Sequence, residues 1–589
     1  MCGIFGYFHR GGRSLPADTL SAMGLAIAHR GPDDQGIFSA PGVALGNQRL
    51  SIIDIQGGHQ PFVSDDGQIV VVQNGEIFNH VELARDLANG PHACRTHSDT
   101  EVLLRLYEAE GIGFVNKLNG MFAIAIYDAR EQAVYLVRDR IGVKPLYVHD
   151  DGHQVTFASE IKSILKAGMA RPPMDETALH HYLTFNYVPA PHTMYSGVRH
   201  LMPGHCLKIT RDGSQVTRWW DLARVQPVHG RSEADWIEEF NAILDDAVRL
   251  RLRSDVPFGA FLSGGVDSST IVGLMARHMN EPVKTFCIGF HDPKYDESAH
   301  AAEAAERFGT QHLMERVDPD MLDLWPMATY HCDQPHGDIS FLPTYRVSKL
   351  AVPHVKVVLT GDGGDELFAG YEKHQQFFAR PDALTMGDEA FRRSYFQSIS
   401  LFTDEGKRAL CSAGMRARVG QADSFDVARP HLDAVAHQDR INQALYLDMQ
   451  LLLCGNNLVK PDRMGMAVSL EARTPFLDYR MMEFAFRMPG HLKLKDGETK
   501  YLYKKAVAPL IGDRLAYRRK QMFTVPVGDW FRTDKAGYCQ EHLDILLQRS
   551  DVLDPSVTRA LLSQHREGER NHTRELRAVL SLSHWLQQC

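Results

Sequence analysis

The sequence predicts an α/β protein of two domains, with antiparallel sheets in the N-terminal half and a parallel, helix-covered sheet in the C-terminal half. The chain has 589 residues, which is more than one hydrophobic core usually supports. Short apolar segments separated by turn residues fill residues 2–210, whereas apolar segments alternate with helical patterns after residue 236. The first pattern is typical of antiparallel sheets and the second of parallel ones.

Turn residues divide the N-terminal half into short strands. Asp66-Gly67 and Asp151-Gly152 are typical turn pairs, and Gly142 marks a further bend. Between such turns the sequence predicts strands at 69–73, 122–127, 133–138, 145–149 and 155–158, and helices at 16–29 and 98–110. Because sequential strands on tight turns pair antiparallel, we expect helices packed outside antiparallel sheets.

The pattern changes after Trp219-Trp220-Asp221, and residues 211–235 are predicted to link the two domains. A strand at 256–262 precedes a helix at 267–279, a strand at 283–290 precedes a helix at 297–308, and a third strand covers 355–359. Strands that alternate with helices predict a parallel sheet. Residues 380–589 are predicted to be mostly helical, which completes a second domain at 236–589.

Bulk properties exclude several classes of function. The net charge of −9 gives no basic surface excess for nucleic acid or anionic lipid. The longest apolar runs, such as 121–127, are too short to cross a bilayer, and the N-terminus lacks the pattern of a signal peptide. Nine scattered cysteines without a Cys-x-x-Cys pair indicate free thiols, so we expect a cytoplasmic protein.

A glycine-rich loop, Ser263-Gly264-Gly265-Val266-Asp267-Ser268-Ser269, joins the first predicted strand of the second domain to its helix. The glycines let backbone N–H groups approach an anion, and the helix presents its positive end to it. The loop suits pyrophosphate but is no Walker loop, since no Gly-Lys-Ser/Thr follows. This half resembles the PP-loop ATP pyrophosphatases, which split ATP into AMP and pyrophosphate.

An acidic loop, Thr360-Gly361-Asp362-Gly363-Gly364-Asp365-Glu366, follows the third predicted strand. Because α/β sheets bind ligands at the carboxyl ends of their strands, it should lie beside the glycine-rich loop. Asp267 and Asp365 are the predicted pair of Mg²⁺ ligands. Asp362 could equally cap the following helix.

Cys2 is a candidate nucleophile at the start of the chain. If Met1 is removed, the α-amine of Cys2, with a pKa of roughly 7.7–8.0, can accept the proton of the thiol. Arg49 offers a bidentate donor for a carboxylate, and Asn74 with Gly75 offers the two donors of an oxyanion hole. Asp99 offers an acid for an ammonium group, although Ser98 beside it could simply cap a helix. Residues 29–33 are predicted to support this site without chemistry of their own.

Together these residues resemble the class II glutamine amidotransferases, in which a terminal cysteine hydrolyses glutamine through a thioester. The resemblance implies an αββα fold of the N-terminal nucleophile hydrolase type. It makes Cys2 the nucleophile and Arg49 the ligand of the glutamine carboxylate. It also implies that Asn74 and Gly75 hold the oxyanion, and that Glu76 and Asp99 bind the amino group of glutamine.

The order of glutaminase, linker and PP-loop domain is similar to that of the glutamine-hydrolysing asparagine synthetase family, through residues 470–478 and 518–523. The resemblance implies ATP and Mg²⁺ as cofactors, small-molecule substrates, and a possible homodimer. It places Lys520 on the phosphates during adenylation. The implied nucleotide-binding residues are Leu262, Ser263, Gly264, Gly265, Asp267, Ser268, Ile288, Gly361 and Asp362.

One departure concerns the acceptor carboxylate. In well-studied asparagine synthetases a Thr and an Arg before the third strand help to form the aspartate pocket, whereas this chain has His336-Gly337-Asp338-Ile339-Ser340 and many family members carry Asp there. An acid there weakens the prediction of aspartate, because like charges in a desolvated pocket repel each other. Aspartate is the leading acceptor, and a larger carboxylate from a cell-envelope or secondary-metabolite precursor is the alternative. An amide-forming cyclase and a non-catalytic sensor are two further hypotheses, and the intact set of Cys2, Arg49 and Asn74 disfavours both.

Overall fold

A computed structural model describes residues 2–519, 525–533 and 535–588. Two antiparallel sheets make up the N-terminal half, with strand orders β10-β8-β9-β1-β3-β2 and β12-β11-β7-β6-β5-β4. The strands are β1 (Cys2–His9), β2 (Asp34–Ala40), β3 (Val43–Arg49), β4 (Phe62–Val63), β5 (Ile69–Ile77), β6 (Gly120–Asp128), β7 (Ala133–Arg138), β8 (Tyr147–Asp150), β9 (Gln154–Ala158), β10 (Val198–His200), β11 (His205–Thr210) and β12 (Gly213–Arg218).

The two sheets face each other across one apolar core. Ile4, Leu45 and Phe157 of the first sheet pack with Val72 and Leu136 of the second. Helices cover the outer faces: α1 (Ala17–Leu25) packs on the first sheet and α3 (Asp99–Glu110) on the second. The other helices of this half are α2 (His80–Leu87), α4 (Ile161–Ile164) and α5 (Glu176–Phe185). The predicted αββα arrangement is thereby confirmed.

The predicted N-terminal strands are present, and two differences affect the candidate site. Strand β5 continues to Ile77, four residues beyond the predicted end at Gln73, so that Asn74, Gly75 and Glu76 lie within a strand. Strand β1 was not predicted. It is buried between β3 and β9 and therefore lacks the alternation of polar and apolar residues that reveals a half-buried strand. Strand β12 lies within residues 211–235, the predicted linker, and extends the second sheet to Arg218.

A parallel sheet with the order β15-β14-β13-β16-β17 forms the centre of the C-terminal half, as predicted. Its strands are β13 (Phe258–Phe261), β14 (Lys284–Phe290), β15 (Gln311–Val317), β16 (Val357–Leu359) and β17 (Glu471–Arg473), and a separate hairpin pairs β18 (Leu494–Lys495) with β19 (Glu498–Thr499). Strand β17 arrives more than a hundred residues after β16, so no local alternation predicts it.

Helices surround this sheet and account for most of residues 380–588, as predicted. They are α6 (Glu233–Arg251), α7 (Val266–His278), α8 (Ser298–Phe308), α9 (Trp325–Cys332), α10 (Phe341–Ala351), α11 (Gly364–Phe368), α12 (Glu372–Phe378), α13 (Asp388–Ile399), α14 (Asp404–Leu410), α15 (Ala413–Val419), α16 (Phe425–Ala434), α17 (Arg440–Asp448), α18 (Val459–Met466), α19 (Tyr479–Arg487), α20 (Tyr501–Ile511), α21 (Asp513–Ala516), α22 (Val527–Arg532), α23 (Ala536–Arg549), α24 (Pro555–Glu567) and α25 (Thr573–Gln588). None of the described helices has the length and apolar character needed to span a membrane.

The two halves share apolar cores. Phe78 and Met121 of the N-terminal half belong to one cluster with Trp236 and Leu445 of the C-terminal half. A second cluster joins residues of β1 to others from α18 and α25. The candidate sites therefore lie in one continuously packed structure.

Candidate active sites

Cys2 lies at the first position of β1, directly opposite Arg49 at the end of β3. Directly opposed residues of antiparallel strands point to the same face, so both side chains belong to one site. The backbone N–H of Cys2 donates a hydrogen bond to Oδ1 of Asn74 at 3.3 Å. Burial raises the pKa of the Cys2 thiol, and hydrogen bonds from Leu50 and Asn47 oppose that rise. The thiol therefore needs a base to become a nucleophile.

The guanidinium of Arg49 is held by backbone carbonyls. It donates to the carbonyl oxygens of Ile53, Asp54 and Ile55 at 3.3, 2.7 and 3.2 Å. These contacts fix the plane of the guanidinium beside Cys2. A fixed, planar donor suits bidentate recognition of a carboxylate.

Asn74 and Gly75 place two potential oxyanion donors on β5. The Asn74 amide is oriented at both ends, since Oδ1 accepts from Cys2 and Nδ2 donates to Oγ of Ser159 at 3.2 Å. Gly75 has a φ of +149°, and a Cβ there would lie 2.0 Å from the carbonyl oxygen of Met121. Only glycine fits this position, because β5 and β6 approach each other too closely there for a side chain.

Two buried acids complete the N-terminal site. Oδ2 of Asp99 accepts from Nε2 of Gln73 and from the backbone N–H of Ile77, both at 2.9 Å. Burial, together with Glu471 and Asp99, raises the pKa of Glu76 well above its ordinary value. Oε2 of Glu76 lies 3.7 Å from Nη2 of Arg473 on β17. The predicted capping role of Ser98 is also present, since its side chain accepts from the N–H of Thr100.

The glycine-rich loop lies between β13 and the N-terminus of α7. Gly264 has a φ of +70°, and a Cβ there would lie 2.3 Å from the backbone of His300. The N–H of Ser263 donates to Oγ of Ser268 at 3.2 Å, and the N–H of Gly265 donates to Oγ of Ser263 at 3.4 Å. The loop thereby closes on itself at the positive end of a helix, an arrangement suited to a polyphosphate.

The carboxylates of Asp267 and Asp365 converge on one cation, the ammonium of Lys500. Nζ of Lys500 lies 2.6 Å from both oxygens of Asp267 and 2.7 Å from Oδ1 of Asp365. Lys500 is buried and adopts a φ of +54° immediately before α20. This lysine was not predicted, because nothing around Thr499-Lys500-Tyr501 distinguishes it from a surface lysine.

The residues predicted to line the nucleotide pocket surround these loops. Leu262 directly follows β13, Ile288 lies two residues before the end of the neighbouring parallel strand β14, and both are buried. Gly361 approaches Asp267 so closely that a Cβ would lie 2.6 Å from the Cβ of Asp267. Asp362 accepts a hydrogen bond from Oγ1 of Thr360 at 2.6 Å. The N-cap position of α11 is Gly363, so the alternative role of Asp362 as the cap of that helix is wrong. Lys520 lies outside the described residues.

Comparison with known proteins identifies the family of the chain. A family model described as asparagine synthase matches residues 239–587, and a glutamine amidotransferase domain matches residues 1–220. The chain belongs to the asparagine synthase family. "Asparagine synthetase [glutamine-hydrolyzing] 1" of Bacillus subtilis is 32% identical to this asparagine synthase family member, over 99% of this chain and 96% of the relative.

Two further relatives carry similar names. A putative asparagine synthetase [glutamine-hydrolyzing] of Mycobacterium tuberculosis is 32% identical over 99% of this chain and 97% of its own length. A second putative one, from Methanocaldococcus jannaschii, is 38% identical over 64% of this chain and 76% of its own length.

In this asparagine synthase family member, Asp338 is neutralised by a cation from another element. Nζ of Lys460 on α18 lies 3.1 Å from Oδ2 of Asp338 and donates to Oγ of Ser340 at 3.0 Å. Nδ2 of Asn456 donates to the same carboxylate at 2.9 Å. Burial would raise the pKa of Asp338, but Lys460 and Asn456 lower it below its ordinary value. Neither Lys460 nor Asn456 was singled out from the sequence.

Proposed function

We propose that this member of the asparagine synthase family hydrolyses glutamine at Cys2 and uses the ammonia to amidate a carboxylate activated by ATP, with aspartate as the acceptor. The proposal is supported above all by the presence of two chemically different candidate sites in one packed chain. The first site holds Cys2 beside the Asn74 amide and the Arg49 guanidinium. The second holds the glycine-rich loop beside the carboxylates of Asp267 and Asp365.

At the glutaminase site, the proposed reaction begins with attack by the Cys2 sulfur on the side-chain carbonyl of glutamine. The α-amine of Cys2, once exposed by removal of Met1, accepts the proton of the thiol. Arg49 binds the carboxylate of glutamine, and Glu76 and Asp99 bind its ammonium group. Asn74 and Gly75 stabilise the oxyanion, ammonia leaves, and water then releases glutamate from the thioester.

At the synthetase site, the acceptor carboxylate is proposed to attack the α-phosphorus of ATP and to release pyrophosphate. Ser263, Gly264, Gly265 and Ser268 would hold the departing pyrophosphate, while Leu262, Ile288, Gly361 and Asp362 would border the nucleotide. Ammonia then displaces AMP from the acyl-adenylate and leaves the amide. Lys520 remains the residue predicted to neutralise the phosphates.

The residues present fit a divalent cation. Asp267 and Asp365 both contact the ammonium group of Lys500, so the space between the two carboxylates favours a positive charge. Among the residues that the structure describes, no cluster of three or more His, Cys, Asp or Glu side chains could hold a metal alone. Two carboxylates supplemented by phosphate oxygens suit Mg²⁺, which would neutralise the charge on the phosphates when bound.

The environment of Asp338 supports aspartate as the acceptor. An isolated acid there would repel a dicarboxylate, but its pairing with Lys460 supplies the cation that an acceptor carboxylate needs. A zwitterionic acceptor could use both members of the pair, its ammonium on Asp338 and its second carboxylate on Lys460. The names of the relatives point to the same product.

Two variants in parallel test the proposal, because each removes one half of the reaction. Cys2→Ala should lose glutamine-dependent synthesis and keep synthesis from ammonium salts, whereas Asp267→Asn should lose pyrophosphate release with either nitrogen source. The measurement is pyrophosphate release with Mg-ATP and a panel of carboxylates, aspartate first. Retained use of glutamine by Cys2→Ala would refute the nucleophile, and turnover of other carboxylates without aspartate would refute the acceptor.

The chemistry of the surface and the thiols supports a cytoplasmic location without nucleic acid as a partner. The cysteines in the described part of the chain are free, which suits a reducing compartment. The net charge of −9 disfavours binding to phosphate backbones. The predicted homodimer is open to measurement by analytical ultracentrifugation.

A further inference from the structure

Helix α18 of the synthetase half reaches the back of the glutaminase site. Asp462 lies at the end of its first turn and Arg463 follows directly; they are 4% and 2% exposed and contact the N-terminal half. Neither residue was singled out from the sequence. The chemistry proposed above gives no role to either of them.

Arg463 contacts the residue that orients Asn74. Its Nη2 donates to the carbonyl oxygen of Ser159 at 3.3 Å and to the hydroxyl of Tyr147 at 3.1 Å. The hydroxyl of Ser159 accepts from Nδ2 of Asn74 at 3.2 Å and from the N–H of Ile4 at 3.0 Å. A displacement of Arg463 therefore moves the partner of the predicted oxyanion donor.

Asp462 reaches Cys2 through one arginine. Its carboxylate accepts a bidentate pair from Arg30, with Nη1 and Nη2 at 2.9 and 3.0 Å. Nε of the same guanidinium donates to the carbonyl oxygen of Cys2 at 3.1 Å. Arg30 is fully buried and also contacts Glu160 at 2.8 Å, which in turn contacts Arg463 at 2.8 Å.

The four charged side chains Arg30, Asp462, Arg463 and Glu160 form a buried charge cluster across the domain interface. Removing such charges from water is costly, and apolar residues of similar size often stabilise a fold as well or better. Unlike apolar packing, the buried charge cluster gives each of its hydrogen bonds a fixed direction. Two of the hydrogen bonds that leave the cluster end on the glutaminase site, one at Cys2 and one at Ser159.

We propose that Asp462 and Arg463 are positioning residues for glutamine hydrolysis, so that a helix of the synthetase half completes the glutaminase site. Arg463 sets the orientation of Asn74 through Ser159, and Asp462 sets the backbone of Cys2 through Arg30. The inference rests on the proposed glutaminase function. It predicts that the glutaminase step depends on α18 even when no ATP or acceptor is present.

The test compares three variants of the full chain. Arg463→Lys keeps the charge next to Glu160 but lacks the planar fork that reaches Ser159 and Tyr147 together. Asp462→Asn keeps the shape and loses the charge. Glu82→Gln is the matched control, since Glu82 also forms a cross-domain ion pair, with Arg253 at 2.5 Å, and contacts neither site.

Glutamate formation without ATP and ammonium-dependent pyrophosphate release are measured on the same samples. In Arg463→Lys and Asp462→Asn we expect the kcat for glutamine hydrolysis to fall by about tenfold or more, with a smaller change in KM. Ammonium-dependent pyrophosphate release should remain within about twofold of the wild type, whereas a merely structural role would lower both activities together. A glutaminase kcat equal to that of Glu82→Gln would overturn the proposal.

Ser159→Ala provides a further test if Arg463→Lys and Asp462→Asn misfold and lose both glutamine hydrolysis and pyrophosphate release. It removes the hydroxyl that Asn74 uses and leaves the buried charge cluster intact, so it should lower glutaminase kcat alone. An unchanged kcat in Ser159→Ala would overturn the positioning role of Arg463, which acts through Ser159, and Asp462→Asn tests the separate route through Arg30. Absence of glutaminase activity in the wild type, by contrast, would reject the proposed function itself.

Discussion

Gly75 lies where two strands of the glutaminase half come so close that any side chain must displace backbone. Its would-be Cβ lies 2.0 Å from the carbonyl oxygen of Met121 and 2.6 Å from the Cα of Phe122. At Gly67, by contrast, φ is also positive but no atom lies within 4 Å of a Cβ. Comparing alanine substitutions at Gly75 and Gly67 therefore distinguishes the cost of a steric clash from the cost of a positive φ alone.

We expect Gly75→Ala to destabilise the protein by about 2–4 kcal/mol and to abolish glutamine hydrolysis, because β5 and β6 must separate. Gly67→Ala should cost about 1 kcal/mol and leave hydrolysis unchanged. Denaturant unfolding and glutamate release measure the two effects. Equal stability of the two alanine variants would contradict the expected steric conflict.

Glu76 is predicted to bind the ammonium group of glutamine and must be ionised to do so, yet burial, with Glu471 and Asp99 nearby, raises its pKa well above the ordinary value. As the pH falls through this raised pKa, the free protein takes up a proton that glutamine must displace, so glutamine binding weakens. We expect the weakening to begin well above the ordinary pKa of a glutamate, about 4.3.

Calorimetric titration of glutamine into Cys2→Ala, at a series of pH values, measures this effect without turnover. Adding Glu76→Gln should weaken binding and remove its dependence on pH in the same range. Binding by Cys2→Ala that stays constant down to about pH 5 would contradict the role of Glu76.

Helix α18 connects Asp338, which is proposed to meet the acceptor, to the domain interface. Its first turn carries Lys460, which pairs with Asp338, and its second turn carries Arg463. Residues three apart on a helix share a face, so the positions of the Lys460 and Arg463 side chains both depend on the placement of α18.

We expect Lys460→Met to raise the KM for the acceptor by about tenfold or more, because it removes the cation that pairs with the buried Asp338 carboxylate. Lys460→Arg, which keeps the charge, is the control and should retain most activity. Steady-state pyrophosphate release with ammonium and varied aspartate gives the measurement. An unchanged KM in Lys460→Met would show that the acceptor does not use this pair.

Much of the fold could be predicted from the sequence, because elements such as β7 and α8 carry local signals. Strand β7 matches the predicted 133–138, and α8 ends at Gly309, which adopts the left-handed conformation. Strands β1 and β17 have no such signal, since both are buried and paired with distant segments. The same limit applies to the candidate sites: Cys2 and the glycine-rich loop belong to local motifs, whereas Lys460, Lys500 and Ser159 acquire their partners only through tertiary packing.

At the scale of the whole molecule, the two halves are held together by apolar clusters and by the buried charge cluster. Such packing is typical of elements that keep a fixed relative position, unlike loosely joined domains. A fixed arrangement is what transfer of ammonia between two sites requires, because ammonia that reaches neutral water becomes protonated and loses its lone pair.

Nitrogen released at Cys2 is proposed to be consumed at the glycine-rich loop of the same molecule. This coupling is tested most directly with glutamine labelled with ¹⁵N in its amide, together with Mg-ATP, aspartate and an excess of unlabelled ammonium. We predict an amide product enriched in ¹⁵N well beyond the isotopic composition of the bulk ammonium pool, formed together with glutamate, AMP and pyrophosphate. A product that carries only the isotopic composition of the bulk ammonium, or no amide at all, would contradict the coupling.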